Sequence, residues 1–248
     1  MELKRNANES SAWKAMTYNI HAGVGTDGKR DLSRIADVIA KEQPDFVFLQ
    51  EVDKNTKRSG GVDQTAVLAE MSGMSEYAFG RAMHYDGGEY GNAILSKYPL
   101  RVIHNLALPG EEPRAALFAE ADLSAVCGEG QAITLIAVHL DWQDERARFR
   151  SVADMEACID GLPALPALLG GDLNDLPASP VLNAFTKRWT LQDLGQSLLT
   201  EPSPEPVHQI DYILYCGAGN WAVRESYVIP DSVASDHRPL VFILDLKP

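Results

Sequence analysis

The sequence predicts an α/β protein made of two sheets, and three observations carry that expectation. Its 248 residues sit at the upper end of one domain's usual span and can bury a sizeable core. It opens with a strand, a helix and a second strand, each followed by a clear stop signal. Its middle and end then run through short apolar segments punctuated by Pro, Gly and Asp. The 45% apolar and 23% charged content is ordinary for a globular protein. No apolar run approaches the roughly 18 residues of a membrane span.

Trp13 to Ile20 reads as the first strand and leads into a Gly-rich loop from His21 to Gly28. Asp31 is the N-cap expected for a helix from Leu32 to about Lys41, with Leu32, Ile35, Ala36 and Ile39 on one face and Pro44 closing it. Asp45 to Gln50 is a continuous apolar strand. This βαβ unit should bring Asn19 and Glu51, both placed at strand carboxyl ends, to one sheet edge. A second helix is expected over Val62 to Met71. Strands follow at Asn92 to Ser96, Arg101 to Leu108, Ala115 to Leu123 and Ala132 to Leu140, with antiparallel pairing. A helix from about Asp144 to Ile159 precedes a strand from Ala164 to Leu169 that ends at a Gly-Gly-Asp turn. Beyond a short helix at Val181 to Phe185, the Pro-rich stretch Glu201 to Pro206 reads as a surface linker. Strands at Val207 to Tyr215, Ala222 to Ile229 and Leu240 to Leu246 should complete a second sheet. Residues 13–248 are expected to form a single domain behind a flexible amino-terminal dozen, Met1 to Ala12. Those twelve residues are polar and lack the apolar centre of a secretory signal. The chain as given therefore reads as cytoplasmic, or as secreted or periplasmic if a signal peptide has been removed.

Cys127, Cys158 and Cys216 are too few and too scattered for a disulfide framework or a zinc site, and read as free thiols. The net charge is -13 and there is no Lys/Arg-rich run. A protein that grips a polynucleotide normally presents several cations to its phosphates, so this chain lacks that footprint.

Chemistry-bearing groups interrupt or end the apolar runs. Tyr18-Asn19-Ile20, Leu49-Gln50-Glu51-Val52, Val138-His139-Leu140, Gly170-Gly171-Asp172-Leu173-Asn174-Asp175, Gln209-Ile210-Asp211-Tyr212 and Ser235-Asp236-His237-Arg238-Pro239 follow one another in that order. A carboxylate beside an imidazole can hold a metal and activate water. Asp172 and Asn174, one residue apart, fall on one side of an extended segment, although the same composition suits an Asx-turn. Asp211 lies in an otherwise apolar strand where an unpaired carboxylate would be costly, and His237 is its natural partner. His139 alone would be read as a structural strand histidine, and Glu51 alone as a surface carboxylate.

Together these segments, spanning Trp13 to Leu246, resemble the endonuclease/exonuclease/phosphatase superfamily of deoxyribonuclease-I-like phosphoesterases. The resemblance implies a four-layer sandwich: two mixed β-sheets packed face to face with helices on the outside. It implies a metal-dependent hydrolase with Mg²⁺, or Mn²⁺, held chiefly by Glu51, with Asn19 and Asp236 close by. A hard cation of this kind needs only one or two carboxylates and keeps several waters. On the same resemblance Asp172 orients the attacking water or a second metal, Asn174 donates to the phosphoryl oxygens, and His139 contacts the phosphate. Asp211 fixes His237, which acts as general base or as the cation stabilising the transition state. Arg114 matches a family position that reaches the substrate phosphate, against the alternative of an exposed strand-end arginine. Glu89 or Tyr90, just before the run that begins with Asn92, would support His139. The loop from His21 and the segment Lys57 to Gln64 would shape the pocket, with Trp142 at its mouth or half-buried.

The acidic balance favours a small-molecule or lipid-derived phosphodiester or phosphomonoester over polymeric nucleic acid. The alternatives are a nuclease of the same superfamily and a non-catalytic binding module, against which the intact residue set argues. A monomer is expected.

Overall fold

The computed structural model describes residues 12–192, 197–217 and 220–247. The flexible amino terminus expected from sequence therefore lies outside the described residues, except Ala12, which already pairs with Asp245.

Eleven strands form two mixed sheets. One sheet has six strands: β1 (Ala12–Asn19), β2 (Phe46–Lys54), β3 (Glu76–Tyr85), β4 (Gly88–Ser96), β10 (Asn220–Val228) and β11 (Leu240–Lys247), in the order β10-β11-β1-β2-β4-β3. The other has five: β5 (Leu100–Leu108), β6 (Arg114–Asp122), β7 (Ala132–His139), β8 (Ala167–Asp172) and β9 (Asp211–Cys216), in sequential order. Among the described residues only β1/β2 and β7/β8 are parallel, and each parallel pair is joined through a helix, as that connection requires. These helices are α1 (Leu32–Glu42) and α4 (Glu145–Asp160), with α2 (Gln64–Ser72), the short α3 (Ser124–Cys127) and α5 (Pro180–Phe185) between other strands.

Three apolar clusters separate four layers. Trp13, Phe46, Phe48, Leu117, Leu135, Leu168 and Phe242 fill the space between the sheets. Ile35, Ile39 and Leu68 of α1 and α2 cover the outer face of the six-stranded sheet, against Met16, Val47 and Leu95. Val152, Met155, Leu182 and Phe185 of α4 and α5 cover the five-stranded sheet. The α1 cap read from sequence is present, with Asp31 accepting from Ser33 N–H, and α4 and α5 are capped in the same way by Asp144, accepting from Arg146 N–H, and Ser179, accepting from Leu182 N–H.

Several expectations are corrected. The strand β3, Glu76–Tyr85, was not read from sequence at all; its Arg81, Met83 and His84 blur the alternation that marks a strand. The last three strands do not share a sheet: β9 closes the five-stranded one, while β10 and β11 extend the six-stranded one. Gly170 and Gly171 lie within β8 instead of forming a turn. A Cβ at Gly170 would drive into the Phe48 ring and one at Gly171 into Val138, so they allow the sheets and strands to approach. The Glu201–Pro206 stretch is not a free linker either. Ser203 is buried, its N–H donates to Asp236 O at 2.7 Å and its hydroxyl to Ser235 O at 2.6 Å.

Candidate active site

The chemistry-bearing segments meet at one edge of the sandwich. Parallel β1 and β2 deliver Asn19 and Glu51, and parallel β7 and β8 deliver His139 and Asp172 in register. Antiparallel β6 and β9 begin at this edge with Arg114 and Asp211, so that Asp211 lies opposite Asp172. The segment entering β11 brings Ser235, Asp236 and His237.

Glu51 does not end its strand. It sits in a bulge between Leu49 and Val52, with φ at 59°, while β2 continues to Lys54. A bulge re-aims a side chain, and left-handed backbone at a non-glycine residue is uncommon enough to be retained for a reason. Asn19 is a bridge: its amide nitrogen lies 3.0 Å from Glu51 Oε1 and 3.1 Å from Asp172 Oδ2, while its amide oxygen accepts from His21 N–H at 3.1 Å. That bonding fixes which amide atom is which. Its nitrogen thereby joins the two carboxylates, while its oxygen is held by the backbone of the following turn.

Asp172 is the hub of the cluster. Besides Asn19, its Oδ2 faces His139 Nε2 at 3.6 Å and His237 Nε2 at 3.8 Å. Its Oδ1 accepts from Asn174 N–H at 2.9 Å. Asn174 is left-handed, with φ at 51°, so the Asx-turn is present and the extended conformation expected there is not. The turn and the convergence are nevertheless compatible. The Asn174 amide nitrogen lies 3.1 Å from His139 Nε2 and donates to Leu140 O at 3.0 Å.

His237 Nδ1 is 2.8 Å from Asp211 Oδ2, the pairing expected from sequence. Burial alone would push the ring down, but the charge and hydrogen bond of Asp211 prevail and raise it to about 10. Burial, reinforced by the charge of Asp211, raises Asp172 to about 7. His139 goes well below its usual range, first through burial and then through Arg114 and His237. Arg114 is buried, with Nη1 3.4 Å from His139 Nδ1 and Nη2 2.9 Å from Glu112 Oε2. His21 and Asp236 sit at the rim, 3.5 Å apart and half-exposed.

The support proposed for His139 from Glu89 or Tyr90 is not found. Glu89 pairs with Arg81 at 2.7 Å, and the partners of His139 are Arg114, Asn174 and Asp172. Tyr90 is buried, and burial, followed by the charge of Glu51, pushes its hydroxyl up. Asn92 ties the sheets together by donating to Ala115 O at 2.7 Å, directly beside Arg114. Trp142 is exposed on the loop after β7. Sequence reading missed Glu112, Asp141 and Ser203. Acids close to Arg114 and His139 were the only available signal for the first two.

The donor set suits a hard divalent cation. Glu51 has no Lys or Arg partner among the described residues, the Asp211 Oδ1 atom is buried without a hydrogen bond, and Asp172, Asp211 and His237 offer ligand atoms within 4.8 Å of one another. Two surface hollows, bordered by Glu120 and Gln131 and by Thr134 and Gly217, lie at the opposite ends of β6 to β9, away from this convergence.

The Endonuclease/Exonuclease/phosphatase family model matches residues 16–237. The Escherichia coli K12 protein named "Uncharacterized protein YbhP" is 30% identical over 175 residues, covering 66% of this chain and 67% of that one. A solved endonuclease/exonuclease/phosphatase of Beutenbergia cavernae aligns over 95% of this chain and 72% of its own, at 24% identity and a TM-score of 0.72. The mannosyl-6-phosphatase Bt3783 of Bacteroides thetaiotaomicron aligns over 94% and 99%, at 17% identity and a TM-score of 0.71, and so shares the fold. On a match that runs from the first strand to His237, the chain belongs to the endonuclease/exonuclease/phosphatase family, whose members generally hydrolyse phosphoester bonds.

Proposed function

We propose that this protein is a Mg²⁺- or Mn²⁺-dependent phosphoesterase that cleaves a P–O bond of a small or lipid-derived substrate by in-line attack of water. The observation that carries this reading is the convergence of Asp172, His139 and His237 beside Glu51 and the Asp211–His237 pair, inside a family of phosphoester hydrolases.

Glu51 would be the principal ligand in this reading, with Asn19, Asp236 and Asp172 near it. When bound, the cation would polarise the phosphoryl oxygens and offset charge on the leaving oxygen. Asp172, held by Asn19 and Asn174, orients the attacking water and takes its proton. Asp211 fixes His237 with Nδ1 engaged, which leaves Nε2 to donate to the phosphoryl group as negative charge builds there. Asn174 and Arg114 complete the phosphate contacts. His139 is neutral and buried and accepts from Arg114 at Nδ1, so it orients Arg114 and carries no charge to the phosphate.

The substrate class rests on two features. The chain carries a net charge of -13 with no Lys/Arg-rich run, and loops at the site edge expose apolar Trp142, Leu176, Val207 and Val233. A nuclease engaging six phosphates would lose about 10³-fold or more in DNA affinity between roughly 50 and 200 mM salt. We expect weak DNA binding at the low end, and turnover of a small phosphoester that changes only a few-fold across that range at constant Mg²⁺. A panel of phosphoesters assayed with and without duplex DNA tests this. Tight, steeply salt-dependent DNA binding with efficient nicking would assign the protein as a nuclease using the same residues.

A further inference from the structure

We propose that Glu112 is a specificity-determining residue: by occupying Arg114 with a carboxylate of its own, it selects singly charged phosphodiesters over doubly charged phosphomonoesters. This deepens the phosphoesterase reading and rests on it. Arg114 is only 4% exposed and stands where β6 begins, beside His139. Of its three nitrogens, Nη1 faces His139, Nη2 is held by Glu112 at 2.9 Å, and Nε is buried with no partner among the described residues. The Arg114–Glu112 pair is formally neutral. His139 adds no charge, because an imidazole nitrogen that faces an arginine N–H is its acceptor.

Glu112 is 43% exposed at its side chain, yet its position is fixed by the backbone around it. It lies on the Pro109-to-Pro113 connection between β5 and β6. Asp141, fully buried, accepts from Glu111 N–H at 2.9 Å and also from the N–H groups of Gln143 and Asp144. A Cβ at Gly110 would meet the Asp141 carboxylate at 2.6 Å, so the connection is seated closely on that side chain. Asp141 is therefore a positioning residue for Glu112. Glu112 therefore sits within ion-pair distance of the arginine that the proposed function assigns to the phosphate, on the side of the guanidinium away from the His139 contact.

A monoester dianion meets one more unit of repulsion from Glu112 than a diester monoanion does. At an effective dielectric near 20 and roughly 6 Å, one unit charge changes an equilibrium by on the order of 10²-fold, and the exposure of Glu112 screens this to about tenfold. Loss of the carboxylate frees Arg114 for both ligands, but only the dianion gains the extra unit.

The test is titration calorimetry of inorganic phosphate and of dimethyl phosphate into the wild-type protein and Glu112→Gln, at constant Mg²⁺ and ionic strength and at about pH 8, where phosphate carries two charges. Glu112→Gln should tighten phosphate by about tenfold and dimethyl phosphate by at most about threefold. In parallel, the ratio of kcat/KM for 4-nitrophenyl phosphate over bis(4-nitrophenyl) phosphate should rise by about the same factor. A change that is equal for both ligands, or absent, or no binding of either anion to either protein, would overturn the proposal. If the binding ratio shifts while neither ester is hydrolysed, Glu112 keeps its role and the phosphoesterase reading falls.

Discussion

Replacing His237 with Ala is expected to cut kcat by about 10²–10⁴-fold, the usual range for a group that moves or holds a proton in the transition state. Asp211→Asn should cause most of the same loss, because Asp211 acts through the ring it fixes at 2.8 Å. The two residues form one unit, so the double variant should be little worse than His237→Ala. Steady-state kinetics on the three variants measures this. Losses that multiply would mean that Asp211 and His237 act separately, and the proposed pair would have to be abandoned.

Asp172→Asn is the second large effect, and it separates a catalytic role from a structural one. Turnover should fall by about 10²-fold or more, since an amide cannot take a proton from water. Stability should not fall with it. Burial and the charge of Asp211 raise Asp172 from 3.8 to about 7, so the folded protein binds that proton more tightly than the unfolded chain. Wild-type metal-free protein should therefore lose stability as pH rises from about 4 to 7, and Asp172→Asn should flatten that fall. Chemical denaturation in EDTA across this range checks the sign. A variant that loses both activity and stability would make Asp172 a structural residue.

The site was legible in the sequence to the extent that polar groups break apolar runs. Asn19, His139, Asp172, Asp211 and His237 each stand where a strand meets the site edge, and burial makes an unexplained polar side chain conspicuous there. The four-layer arrangement followed from the resemblance, and the cap of α1 from local chemistry. What escaped depends on non-local geometry. No local signal marks Leu49 to Val52 as a bulge, because the extra residue exists only relative to β4. The membership of β9 in one sheet and of β10 and β11 in the other is decided by long-range pairing, which hydrophobic pattern does not encode. Ser203 looked like part of a linker because Pro-rich composition signals a loop, whether or not that loop is bonded down. Glu112 carries no local signal, because its role comes from the Arg114 side chain that the fold sets beside it.

The central claim is that Glu51, re-aimed by the bulge and without a Lys or Arg partner among the described residues, holds the divalent cation on which hydrolysis depends. The most direct measurement is phosphoester turnover by wild-type protein and Glu51→Gln in EDTA and across a titration of Mg²⁺ and Mn²⁺. No turnover in EDTA, restoration on adding either metal, and a Glu51→Gln half-saturation shifted to metal concentrations about 10-fold or more higher, with partial rescue in excess Mg²⁺, is the predicted result. Full turnover of the wild-type protein in EDTA, or a Glu51→Gln titration that overlays the wild type, would contradict it.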